Sequence, residues 1–185
     1  MKFGDHQNGG PDDMDFRILA ALQEDSRTPL ARIGEVVGLS PPAVLERIKK
    51  LEAAGVITGY RTIIDSRRIG LDITAFIGVM ISHPSGIPAF EQRIAELTDV
   101  LECHHVTGAW TLLLKAKTAN TSSLEELISR VRSIDGVART ETMVVLSTHT
   151  ERVQLPMPEI ATLPDATPGR VRRPRTRVAD RRPQA

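Results

Sequence analysis

Leu39 to Gly59, LSPPAVLERIKKLEAAGVITG, is the stretch that most narrows what this chain can become. Ser40 can accept a hydrogen bond from a first-turn backbone N–H, and Pro41 sits where a helix best tolerates proline, so the pair predicts a helix start. Val44, Ile48, Leu51 and Ala54 then recur at spacings of four, three and three, which makes one apolar stripe. Glu46, Arg47, Lys49 and Lys50 fall mostly off that stripe. The pattern is that of a helix docked on one face and open on the other.

The residues before it supply what such a helix docks against. Asp12 and Asp15 precede an apolar run and can cap a first helix whose buried stripe comes from Phe16, Leu19 and Leu22, or from Ile18 and Leu22; Asp25-Ser26 ends it. Thr28-Pro29 repeats the cap-plus-proline start for a second helix carrying Leu30, Ile33, Val36 and Val37, and Gly38-Leu39 forms the turn into the Ser40 helix. Two short helices joined through a glycine turn have the spacing of a helix-turn-helix, in which the second helix enters a major groove. This predicts a DNA-binding domain over 12–59.

Beyond Gly55 the pattern changes. Val56-Ile57, Tyr60, Thr62 and Ile64 read as a strand leading out of the helical domain, within a strand-and-hinge linker over 60–72. Ile73 to Ser82 is apolar at both parities, Ile73, Ala75, Ile77, Val79 and Ile81 on one face and Phe76 and Met80 on the other. A helix follows from Ile87 to Leu97, then strands Val100 to Thr107 and Trp110 to Lys117 joined at Gly108-Ala109. Ser122 or Ser123 caps a helix carrying Leu124, Leu127, Ile128, Val131 and Ile134, Gly136 stops it, and Thr140 to Thr148 is the last strand. The order β-α-β-β-α-β over 73–152 predicts a ferredoxin-like split βαβ domain, giving an α+β chain. Two helices cover one side of a sheet only. Apolar residues on the other side predict a homodimer that buries it against a second copy.

Composition sets further bounds. With 24 Lys+Arg against 23 Asp+Glu the chain is near neutral, so only local clustering can mark a nucleic-acid surface. Aromatics at 3% argue against a platform for stacking single-stranded bases. The single cysteine, Cys103, leaves no intrachain disulfide and no cysteine zinc site, and reads as a small buried hydrophobe. His104 and His105 are adjacent on a strand and point to opposite faces, so no shared metal and no cofactor is expected. No apolar run approaches the roughly 18 residues of a membrane span, and MKFGDHQNGGPDDMD lacks the pattern of a signal peptide; the expectation is a cytoplasmic protein without membrane partners. Residues 1–11 and 153–185 are expected to be disordered. The second of these is rich in proline and, from Arg170 to Arg182, in arginine; it reads either as a phosphate-binding tail or as a solvated extension.

The segments DFRILAALQEDSRTPLARIGEVVGLSPPAVLERIKKLEAAGVITGYRTIID and LECHHVTGAWTLLLKAK resemble the Lrp/AsnC, or feast/famine, family of transcription regulators. The resemblance spans Asp12 to Arg152, and Gly38-Leu39-Ser40, Val44, Arg47, Leu51-Glu52, Gly55-Val56-Ile57 and Gly59-Tyr60 together carry it. It implies a winged-type helix-turn-helix hinged to a ferredoxin-like ligand-sensing domain, dimers formed through the sheets, further assembly into octamers or other rings, and small-molecule effectors, usually amino acids, bound between dimers.

By that resemblance the double-stranded DNA contacts fall to Arg27, Ser40, Pro42, Glu46, Arg47, Lys49 and Lys50. Arginine and lysine neutralise phosphate, and arginine can read guanine with two bonds. Arg47 reads equally as an ion pair with an acidic residue of the first helix, Lys49 and Lys50 as a solvated face, and Glu46 as a partner of Lys50. The effector region maps to Val106, Thr107, Gly108, Ala109, Trp110, Thr140 and Thr142. There the chain departs from its relatives, which carry Gly-Asp-Tyr/Phe-Asp where this sequence has Gly108-Ala109-Trp110-Thr111. Both acids that could meet an ammonium group are replaced, and Trp110 offers an apolar or cation-binding wall, or core packing instead. Two alternatives stand beside an effector-controlled regulator: an architectural DNA-binding protein without an effector, and an enzyme similar to the siroheme decarboxylases, for which His104 and His105 are the only pointers. No catalytic constellation is visible in the sequence.

Overall fold

A computed structural model describes residues 10–158, so the disorder expected of residues 1–9 and 159–185 lies outside the described residues. The chain divides into two compact units, one holding the residues up to Tyr60 together with those from Gln154, the other running from Arg61 to Val153.

The first unit is a bundle of three helices. In α1 (Asp13–Glu24), Asp12 and Asp15 form a reciprocal capping box, each side chain accepting from the other's backbone N–H at 2.8 and 3.0 Å. Helix α2 (Leu30–Val37) begins after Pro29 rather than on a Thr28 cap, and Gly38 ends it in the left-handed region, φ 72°. Helix α3 (Pro41–Ala53) follows Ser40, which holds the N-cap position by backbone conformation; its hydroxyl makes no cap bond. Ile18, Ile33, Val37, Val44 and Ile48 form the core, with Met14, Ala21, Leu22, Leu30, Leu39 and Ile57 around it. Phe16 and Leu19 are only half-buried, and Ala54, the residue that caps α3, is exposed. Val36, expected in the stripe of α2, is 68% exposed because Ile33 and Val37 already fill the facing side.

No strand forms between Val56 and Ile64, and with it the expected wing strand is absent from the described residues. The N–H groups of Val56 and Ile57 turn back to the Leu51 carbonyl around Gly55, φ 69°, and Ile63 and Ile64 stand exposed. A strand needs a second strand to satisfy its backbone, and among the described residues none pairs with this segment. The expected hinge is partly built: Asp65 caps a 3-10 turn over Ser66–Ile69, closed by Gly70, and Ser66 accepts from Lys117 at 3.0 Å.

The second unit is the βαββαβ arrangement. Strands β1 (Ile73–Ile81), β2 (Val100–His105), β3 (Leu112–Thr118) and β4 (Val137–Val144) form one antiparallel sheet in the order β2-β3-β1-β4. Helices α4 (Ile87–Ala95) and α5 (Thr121–Arg132) cover one face, where Ile77, Val79, Ile81, Phe90, Ile94, Leu112, Leu114, Leu127 and Val131 make the core. The cap of α5 is Asn120, in a box with Ser123, rather than a serine. Strand β2 and the last strand end earlier than expected, at His105 and Val144.

Candidate functional site

Helices α2 and α3 meet through a contact the sequence reading missed. Gly34 is buried, donates nothing but space, and its position in a helix interior costs about 1 kcal/mol relative to alanine. That cost has a reason: a Cβ at Gly34 would sit 2.4 Å from the Leu39 carbonyl oxygen. The turn 38–40 can close against α2 only because that carbonyl finds no side chain there, and the Leu39 N–H bonds back to the Gly34 carbonyl at 3.0 Å. A lone glycine inside an apolar helix pattern was the signal that could have found it.

With α3 so held, its outer face carries Pro42, Leu45, Glu46, Lys49 and Lys50, all exposed, with Ser40 at its start. Lys50 pairs with Glu46 across one turn at 3.0 Å. Arg27 stands exposed at the corner between α1 and α2, 3.5 Å from Asp25. Arg47 is placed differently from the others. Its Nη1 donates to Asp12 Oδ2 and Asp15 Oδ1, each at 2.8 Å, so it straps α3 to the capping box of α1. Burial works against the Asp12 charge, but the hydrogen bonds from Arg47 and from the Asp15 N–H outweigh it and hold the carboxyl below its ordinary range. Its bonds to Asp12 and Asp15 in turn raise the Arg47 guanidinium.

Arg47→Ala is therefore expected to lower stability by about 1–2 kcal/mol, since two charge-assisted bonds at a partly exposed site are lost. It should weaken DNA binding less than threefold when measured well below the melting temperature. A depressed acid stabilises the fold above its unfolded-state value and loses that contribution as pH falls through the folded-state one. The parent chain should thus lose stability below the ordinary aspartate range more steeply than the variant, as melts across pH 2–5 would show. A variant that melts like the parent yet fails to bind DNA would make Arg47 a DNA contact instead.

In the second unit the expected effector residues lie on two faces. Thr140 and Thr142 pair with Val79 and Ile77, whose side chains face the helices, and paired residues share a face. Trp110 lies on the opposite, open face, flat over Gly78: a Cβ there would be 2.6 to 2.8 Å from the indole carbons. The Arg139 guanidinium sits 5.2 Å from the indole centroid, a cation–π contact. Within one chain the seven residues are therefore not brought to a single pocket. Val106 is half-buried, its N–H donating to the Thr111 carbonyl at 3.2 Å, and Thr107, Gly108 and Ala109 are exposed. Gly78 and Arg139 are the partners of Trp110 that sequence reasoning did not find, because both depend on strand register.

His104 and His105 take opposite faces of β2, and His104 bonds Glu102 at 3.2 Å. Cys103 is exposed, not buried, because β2 is an edge strand; desolvation and the Glu91 carboxylate push its thiol up, away from the reactive thiolate. Among the described residues no group of three His, Cys, Asp or Glu side chains is placed to hold a metal ion. No helix of the described residues is long and apolar enough to cross a membrane.

The profile of the AsnC-type helix-turn-helix domain matches residues 12–52, and that of the Lrp/AsnC ligand binding domain matches residues 74–155. The HTH-type transcriptional regulator FL11 of Pyrococcus horikoshii is 34% identical over 79% of this chain and 96% of its own. The chain belongs to the Lrp/AsnC family. Another relative, the regulatory protein AsnC of Escherichia coli K12, is 31% identical over 73% of this chain and 90% of its own. The crystal structure of a transcriptional regulator from Neisseria meningitidis in complex with L-Met is 29% identical, covers 80% of this chain and 97% of that one, and superposes with a TM-score of 0.76. As an Lrp/AsnC protein the chain is a DNA-binding transcriptional regulator of the helix-turn-helix type, and the enzymatic alternative falls: these relatives are regulators.

Proposed function

We propose that this regulator acts in the cytoplasm as a homodimer or larger ring on duplex DNA, reading it with the outer face of α3 and answering to an amino acid. The observation that carries the DNA side is the exposed row Ser40, Pro42, Glu46, Lys49 and Lys50 on a helix whose opposite side is locked into the bundle. Lys49 and Lys50 neutralise phosphate, Arg27 flanks the duplex from the neighbouring corner, and Arg47 acts through the fold by keeping α3 in place. Dimerisation is supported by the sheet face opposite α4 and α5, where Met80 and Met143 are exposed beside half-buried Phe76, Leu113 and Trp110.

The L-Met complex of the Neisseria relative supports an amino-acid effector. The two-faced placement of the effector residues fits a site completed by a neighbouring copy, with Val106 to Trp110 at the contact. A ligand placed there acts by favouring one assembly over another. The test is a titration of the intact chain against a duplex from its own upstream region, with and without a panel of amino acids, alongside sedimentation of the protein. Salt-sensitive binding that one amino acid shifts, together with the assembly distribution, is the expected result. Tight binding that no amino acid alters would leave an architectural protein.

A further inference from the structure

At one end of the sheet, on the face turned away from α4 and α5, three stretches of the second unit close around a cavity of about 300 Å³. Thr74 and Lys117 form its floor, paired across β1 and β3. Thr74 lies four residues from Gly78 on the same side of β1, about 13 Å from the seat of Trp110, so the cavity is separate from the 106–110 connection. The 3-10 turn makes one wall with Ser66 and Arg67, and Asp72 stands where the chain enters β1. The segment after β4 makes the other: the Val145 N–H donates to the Thr74 carbonyl at 2.9 Å, and Glu151 accepts from Lys115 at 2.7 Å. The volume is at the lower end of the roughly 300–1,000 Å³ of ligand pockets, which suits a molecule of metabolite size.

The charges around this cavity do not cancel within the chain. Asp65 is committed to the turn, where it accepts from the Arg67 N–H at 3.1 Å and pairs with Arg68 at 3.4 Å, and Glu151 is committed to Lys115. Lys117, Arg67 and Asp72 are left over: among the described residues none of the three lies within 4.0 Å of an opposite charge. Lys117 is partly buried and donates to Ser66 Oγ at 3.0 Å, which uses one of the three donors of its ammonium group. Its field reaches Glu151, whose carboxyl is held below its ordinary range first by the bond from Lys115 and then, more weakly, by Lys117. Two cations and one anion left unpaired around one cavity complement a molecule that carries two carboxylates and one ammonium group.

We propose that this cavity is a second small-molecule site, specific for an acidic amino acid. Lys117 and Arg67 take its two carboxylates, Asp72 takes its ammonium group, and the hydroxyls of Thr74 and Thr148 offer further hydrogen bonds. The ligand class rests on the amino-acid reading above; the location does not. Residues 64–72 belong to the linker that leads into β1, so a bound ligand joins that linker to β1 and β3 and stabilises the unit by mass action.

The test is isothermal titration of the intact chain with L-aspartate, L-glutamate, succinate and L-methionine, repeated on Lys117→Gln, Arg67→Gln and Asp72→Asn. The parent should bind one of the acidic amino acids about tenfold or more tighter than succinate, which lacks the ammonium group. Lys117→Gln and Arg67→Gln should each weaken that binding about tenfold or more, since each removes a charge-assisted bond, and should leave any binding of L-methionine within about twofold. Asp72→Asn should weaken the acidic amino acid but not succinate, erasing the preference between them. Circular dichroism checks the fold of each variant, and Arg67, exposed and outside the core, can be replaced without disturbing it. Acidic amino acids that bind all three variants as they bind the parent would overturn the site. Binding of L-methionine alone would overturn it too and leave the amino-acid reading standing, whereas binding of no amino acid would remove both.

Discussion

Gly34→Ala is expected to abolish specific DNA binding while leaving the sheet unit intact. The added methyl would lie 2.4 Å from the Leu39 carbonyl oxygen, a backbone atom, so it cannot be accommodated by turning a side chain. Either α2 and α3 separate or the turn 38–40 rotates, and both move the face of α3 away from its setting. Overpacking of this kind costs about 1–3 kcal/mol, and alanine's better helix propensity returns about 1 kcal/mol of it. The net loss is about 0–2 kcal/mol, which in a unit this small lowers Tm by up to roughly 15 °C. Gly34→Val adds two more methyls with no propensity gain and should leave the helical unit unfolded at 37 °C. The measurement is thermal unfolding followed by far-UV circular dichroism, paired with DNA affinity well below the transition. Binding by Gly34→Ala within twofold of the parent would show that the turn adapts, and would remove Gly34 from the geometry that sets α3.

That residue illustrates how much of the molecule could be read before it was folded. Local signals were legible: the Asp12/Asp15 capping box, the Val44, Ile48 and Leu51 stripe and the left-handed Gly38 depend on residues three or four apart. The βαββαβ order was legible for the same reason, since each element has its own period. What depended on a distant partner was not. The Val56 to Ile64 segment has strand composition and no strand to pair with among the described residues, so composition alone misplaced it. Thr140 and Thr142 were grouped with Trp110 by their positions in the family resemblance, but their faces are set by the register of β4 on β1 and by the irregularity at Met80/Ile81, which no local pattern encodes. Arg47 was readable in both of its roles from one helix. Only the approach of α1, with Asp12 and Asp15 both accepting from one guanidinium nitrogen, brings the ion pair into view.

Gly78→Ala should release Trp110 from the sheet, and the chain reports it directly because Trp110 is its only tryptophan. In the parent the indole lies over bare backbone in β1, where a Cβ would come within 2.6 Å of Cδ2 and 2.8 Å of Cγ and Cε2. Glycine in the middle of a strand weakens it, so the residue is best understood as a seat for the ring. An added methyl lifts the indole and opens its contact with Arg139. The neighbouring bonds, from the Thr111 N–H to the Val79 carbonyl at 2.9 Å and from the Ile81 N–H to the Thr111 side-chain Oγ1 at 3.2 Å, then carry the 106–111 connection without its anchor. The cost is about 1–3 kcal/mol, and it falls on the open face while the helix-covered core, on the other side of β1, is untouched. The expected signature is a red-shifted, more readily quenched tryptophan emission with far-UV signal retained. Arg139→Ala, which removes the cation but keeps the seat, should shift the emission far less, since an exposed cation–π contact contributes about 0.5–1 kcal/mol. If the proposed dimer buries this face, Gly78→Ala should also raise its dissociation constant at least tenfold, because a lifted indole obstructs the facing copy as well as exposing itself. Emission and dimer affinity both equal to the parent's would mean that the ring is held by something other than its glycine seat.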